Sequence, residues 1–207
     1  MPIIREQLEL IRSPKDAIAR LASDPRGAFI GFRHVFLLAV LYELAIALWA
    51  LGDATPTIPA FLKIPDEQYY YYELIFMIPM ILIIWLLAGA IAYVLSKALG
   101  GNGSFDTILG GFGIATLIST YFTLVPDFIQ GVLWTTGLVP FAEYQEATSQ
   151  GYLLILVWSY LLAYNLSHLI LYAVTIHYSQ NLSKLQSALV AAISFFCSTG
   201  VFITIVR

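Results

Sequence analysis

The sequence predicts an all-α fold: a polytopic integral membrane bundle of five transmembrane helices, preceded by short amphipathic N-terminal helices. Three observations carry this. Five apolar stretches, each about the 20 residues that a bilayer core demands of a helix, hold most of the 207 residues. Mean hydropathy is +0.81 and charged residues are 11% of the chain, so lipid is its solvent. The apolar runs are continuous rather than alternating, which argues against barrel strands of about ten residues. Backbone groups inside lipid must satisfy one another, so each run is expected to be helical.

The first 24 residues read as amphipathic. Ile4, Leu8 and Ile11 recur at the spacing of one helical face. Ser13-Pro14 marks a stop and restart, with Ser13 as a cap and Pro14 at the first helical position. Ala17, Ile18, Leu21 and Ala22 form the next stripe, and Asp24-Pro25 repeats the start signal. Residues 1–27 are thus expected as a cytoplasmic amphipathic segment lying on the membrane face, and residues 28–207 as the five-span domain. A partly disordered tail is the alternative.

The spans are expected near Gly31–Leu51, Glu73–Leu99, Ile108–Val125, Tyr152–His177 and Leu185–Val206. Pro56, Pro59 and Pro65 break the loop after the first span. Tyr69-Tyr70-Tyr71-Tyr72 then reads as an aromatic belt at the interface. Pro79 is a candidate kink because it removes a backbone donor. Gly100-Gly101-Asn102-Gly103-Ser104-Phe105-Asp106 reads as a tight turn, Gly100 closing one helix and Ser104 or Asp106 capping the next. Gly110, Gly111 and Gly113 open the third span with a small-residue face, for which Ala88, Ala92 and Ser96 could supply the facing groove. Pro126-Asp127 is read as starting a separate interfacial helix carrying Phe128, Ile129, Val132 and Leu133.

Charge gives the sidedness. Arg5, Arg12, Lys15, Arg20, Arg26 and Arg33 lie before or at the start of the first span, and Lys97 and Lys184 sit at the second and fourth connections. Only Lys63 and Arg207 fall on the other side. The positive-inside rule then expects a cytoplasmic N-terminus and an external C-terminus. No cleavable signal peptide is expected. Nucleic acid is not an expected partner, because Glu6, Glu9, Asp16 and Asp24 balance the basic segment. The lone Cys197 allows no intrachain disulfide and is read as a packing residue.

Chemistry-bearing residues are few. Glu43 falls near the middle of the first span, where a carboxylate costs about 2.5–3.5 kcal/mol on insertion scales, so it should face protein or water. Asn165 and His168 share a face of the fourth span at i and i+3, at similar depth. Glu43, Asn165 and His168 are the candidate buried polar cluster, either a proton or substrate relay or interhelical glue. His34, His168 and His177 are too dispersed for a metal site, and no HExxH or GxSxG occurs, so neither a metal, a cofactor nor a catalytic residue is expected. The sequons at Asn165 and Asn181 are read as chance matches.

The stretch from Trp85 to Phe105 resembles the prokaryotic branch of the Yip (Rab-GTPase-interacting) membrane protein family, whose second span ends in a Gly-Gly-x-Gly-Ser-Phe turn. Here that turn is Gly100, Gly101, Asn102, Gly103, Ser104 and Phe105. The glycines at 110, 111 and 113 and the Asp24-Pro25-Arg26-Gly27-Ala28-Phe29 entry extend the likeness over roughly residues 20–207. The resemblance implies a non-enzymatic protein with five spans that acts in membrane organisation or protein association. Eukaryotic relatives act through Rab GTPases and one another, but their Asp-Leu-Tyr-Gly-Pro element is missing from this sequence. The expected partners are the bilayer and a membrane protein or second copy of the chain. A transporter or channel component using the Glu/Asn/His cluster is the alternative.

Overall fold

The computed structural model of the chain describes residues 2–56 and 63–205. Pro59, Val206 and Arg207 therefore lie outside the described residues. Among the described residues eight α-helices follow one another: α1 Pro2–Arg12, α2 Pro14–Ser23, α3 Gly27–Leu51, α4 Tyr69–Ala98, α5 Phe105–Thr135, α6 Phe141–Thr148, α7 Gly151–Gln180 and α8 Lys184–Ile205. The five helices α3, α4, α5, α7 and α8 are long and apolar enough to cross a membrane. The chain is an all-α integral membrane bundle.

The inner end of the bundle is the end where α1 and α2 pack, and the outer end is the opposite one. α5 is the axis, touching α1, α2, α3, α4 and α7, while α8 packs on α4 and α7. Of its most apolar window 72% is buried, against 6% for α7, so α5 is the core helix and α7 a wall. Lipid is as apolar as leucine, so close packing rather than water exclusion must hold such helices together. Glycines provide it. A Cβ on Gly31 would run into the Leu109 carbonyl, and one on Gly110 would lie 2.7 Å from the Gly27 oxygen. Gly110 and Gly113 of α5 therefore meet Gly27 and Gly31 of α3, while Gly111 faces Thr175 of α7. Ala88, Ala92 and Ser96 are buried, but α4 is not the partner of these glycines.

Several expected boundaries move. Pro126 does not start a new helix: α5 runs through it to Thr135. Phe128, Ile129, Val132 and Leu133 extend the apolar pattern, and a missing backbone donor is tolerated where neighbouring helices re-satisfy the carbonyl. The separate outer helix is instead α6, docked through Trp134, which meets Phe141 and Tyr144 edge-on at 4.9 and 5.5 Å. α4 likewise continues through Pro79.

The tyrosine run divides. Tyr71 and Tyr72 are about half exposed, as an interfacial belt requires, whereas Tyr69 is fully buried and donates to the Ile205 carbonyl at 3.1 Å. Ser13 precedes α2 without a side-chain capping bond, although Pro14 occupies the first turn. Cys197 is exposed on α8 rather than packed inside.

The N-terminal helices form as expected but split their apolar residues between two surroundings. Leu10, Ala17, Ile18 and Leu21 are buried in the bundle. Ile4, Leu8 and Ile11 remain 41–55% exposed.

Candidate functional site

His168 sits seventeen residues into α7 and is almost fully buried. Its Nδ1 lies 3.1 Å from the Tyr164 carbonyl oxygen. A carbonyl only accepts, so Nδ1 carries the hydrogen and a neutral ring leaves Nε2 as a bare acceptor. The ring is held by Tyr164, Phe195 and Tyr172, with centroids at 4.4, 5.2 and 5.5 Å. Tyr172 in turn stacks flat on Phe112 at 3.7 Å, which ties the cluster to α5.

His168, Tyr164, Tyr172 and Phe195 wall a cavity of about 80 Å³ between α3, α4, α5, α7 and α8, shared with Tyr42, Trp85, Thr116, Thr120 and Ser198. That volume accommodates several water molecules given enough polar partners. The Thr116 and Tyr172 hydroxyls bond each other at 2.8 Å. Thr120 and Ser198 spend their hydrogens on carbonyls of their own helices, Thr116 and Ser194, both at 2.7 Å. The cavity is therefore rich in acceptors, with the imidazole as its one nitrogen base among the described residues.

The candidate cluster spreads over two places. Asn165 turns its amide onto the Leu161 carbonyl at 2.7 Å, within its own helix. Glu43 is half-buried on α3, and its Oε2 has no hydrogen-bond partner among the described residues. Its helical neighbour Tyr42 reaches the His168 cavity, as does Leu38 one turn earlier on α3. The Glu43 carboxyl instead lies within electrostatic range of Glu73 on α4. Glu73 is fully buried and neither carboxyl oxygen has a partner among the described residues.

A third acid completes the outer half. Tyr42 donates to Asp127 Oδ2 at 3.0 Å, and Trp49 Nε1 donates to the Asp127 carbonyl at 3.1 Å. Sequence reasoning puts Glu73 at the outer start of the second span and Asp127 just beyond the end of the third, and singles out neither as a site residue. The signal that corrects this is the apolar periodicity running past both residues. Among the described residues no three His, Cys, Asp or Glu side chains gather as a metal ligand set.

The turn of 100–105 has a structural task. Gly100 follows α4 at φ +89°, the left-handed position that glycine adopts without a Cβ penalty. Ser104 Oγ accepts from Thr107 N at 3.2 Å and caps α5. The turn docks on the end of α7: Asn102 N donates to the Gln180 carbonyl at 3.3 Å, and Asn181 Nδ2 to Asn102 Oδ1 at 2.8 Å. A Cβ on Gly103 would collide with the Ser179 carbonyl, and one on Gly101 would lie 2.8 Å from the Ser96 oxygen. Phe105 packs on Tyr93, with ring centroids 5.4 Å apart. The motif is a clasp joining α4, α5 and α7.

No curated protein and no solved structure matches the chain. The Yip1 domain family model does match, over residues 8–206. That span takes in the second amphipathic helix, all five membrane helices and the glycine clasp, and the chain belongs to the Yip1 domain family.

Proposed function

We propose that this chain is a non-enzymatic membrane protein that works by association within the bilayer, pairing with another membrane protein or a second copy of itself. It resides in the cell membrane with its N-terminus in the cytoplasm and its C-terminus outside. The observation that carries the reading is the outer half of α7. Tyr152, Ile155, Leu156, Trp158 and Leu162 are 59–91% exposed, and the helix gives most of its surface to its surroundings. Inside a bilayer such a surface is covered by lipid or by a helix that packs closely against it.

A photo-crosslinking residue replacing Trp158 tests the proposal in intact membranes. The expected product is one discrete adduct, identified by mass as a membrane protein or as a second copy of the chain. Lipid adducts alone would remove the association reading.

The cavity around His168 favours a second reading, a transporter or channel component in which His168 is the polar station inside the cavity and Glu43 and Asn165 are stations outside its lining. An acceptor-rich space at mid-depth is what such a pathway would use. Proteoliposomes carrying a pH-sensitive dye distinguish the two. Proton flux that falls in His168→Phe supports transport, and no flux above protein-free vesicles supports association.

A further inference from the structure

Four arginines converge where α1, α2 and the start of α3 meet. Arg5, Arg20, Arg26 and Arg33 line one cleft of about 690 Å³ together with Pro2, Glu6, Asp24, Phe29 and Ile30. Four guanidinium groups face Glu6 and Asp24 in the lining and, beside it, Glu9, which pairs with both Arg5 and Arg20, so the cluster keeps a net charge of +1. Arg33 pairs with Glu6 through Nη2, yet its Nε is buried and has no partner among the described residues. Arg26 meets Asp24 and Arg5 meets Glu9, each using part of a five-donor fork. Donors remain for a further anion.

The rest of the surroundings are lipid-like. Phe29, Phe32 and Phe36 run from the cleft along α3, 37–59% exposed, with successive ring centroids 6.1 and 5.7 Å apart. Ile4, Leu8 and Ile11 form a separate exposed apolar face of α1. The cleft is thus cationic within and apolar along its rim, at the depth where a short amphipathic helix meets a membrane surface.

We propose that this cleft binds the phosphate headgroup of an anionic phospholipid from the adjoining leaflet, with an acyl chain lying along the Phe29–Phe32–Phe36 stripe. Planar guanidinium groups bind phosphate through two parallel N–H bonds, which compact ammonium groups do not. A neutral zwitterionic lipid brings its own cation and would meet the arginines with repulsion. The inference stands independently of what α7 contacts.

The test is native mass spectrometry of the full-length chain in detergent, given an equimolar mixture of phosphatidylglycerol and phosphatidylcholine. The wild type should retain phosphatidylglycerol preferentially. Arg5→Gln with Arg26→Gln removes two cations that are three-quarters exposed, so the fold should survive. This variant should weaken phosphatidylglycerol retention by roughly 10–30-fold. Arg12→Gln with Lys15→Gln removes the same charge outside the cleft and should leave retention unchanged.

Equal retention of both lipids by the wild type would overturn the proposal, as would an equal loss in both double variants. Displacement of phosphatidylglycerol by millimolar inorganic phosphate would assign the cleft to a free anion instead. A thermal melt of each variant separates lost binding from lost fold.

Discussion

Gly31 of α3 and Gly113 of α5 meet backbone to backbone: a Cβ on Gly113 would lie on the Gly31 carbonyl oxygen and 2.5 Å from its Cα. No side chain separates the two helices there. Gly113→Leu is therefore expected to cost at least about 1–3 kcal/mol by overpacking. Gly200, where an added Cβ would meet nothing within 4 Å, should accept alanine without loss. Unfolding both variants by titrating sodium dodecyl sulfate into a mild detergent gives the comparison. Equal midpoints would show that the helices do not meet at this point.

The clasp makes a graded prediction. Ser104→Ala removes the α5 cap and should destabilise by about 1 kcal/mol. Gly103→Ala should cost more, because its methyl group meets a carbonyl that is fixed at the end of α7. Hydrogen exchange is expected to rise at both helix ends in Gly103→Ala, but only at α5 in Ser104→Ala.

Glu73 is a buried carboxyl without a hydrogen bond among the described residues, facing a second acid, Glu43. Glu73→Met replaces it with an apolar side chain of similar length. Stability should rise by about 1–3 kcal/mol, the usual cost of leaving a buried polar group unpaired. A lower melting temperature would mean that the carboxyl has a partner in the membrane.

Tyr172→Phe deletes the hydroxyl that bonds Thr116 but keeps the stack on Phe112. Side-chain hydrogen bonds between membrane helices average about 0.6 kcal/mol, so a small loss near that value is expected. His168→Phe keeps an aromatic ring of similar breadth and removes the cavity's nitrogen base. Its signature should be a change in cavity hydration, read by water-to-protein magnetisation transfer, with the melting temperature little altered.

Acid should loosen the N-terminal helices first. The hydrogen bond from Arg5, helped by the charge of Arg20, holds the Glu9 carboxyl below the usual range, and Arg26 does the same for Asp24. A carboxyl with a lowered folded-state value stabilises the fold above its ordinary titration range. That stabilisation disappears as pH falls through the folded value. Amide exchange in α1 and α2 should therefore accelerate below about pH 4, ahead of exchange in α5. Glu9→Gln should flatten the response of α1. Both groups are solvent-exposed, so high salt should reduce the effect.

Composition and the lengths of the apolar runs alone determined that this chain crosses a bilayer as five helices, because a bilayer fixes element length and forbids unpaired backbone. The turn at 100–105 was legible for the same kind of reason: glycine at a positive φ and serine at a cap act within a few residues of chain. Partners were another matter. Lipid-facing and protein-facing surfaces are both apolar, so periodicity could not show that Gly113 meets Gly31 rather than the Ala88 and Ala92 ridge. Nor could it show that Tyr42 turns toward His168 while Glu43, one residue on, turns toward Glu73. A helix rotates about 100° per residue, and only the packing of five helices around α5 settled which of those directions points at which neighbour.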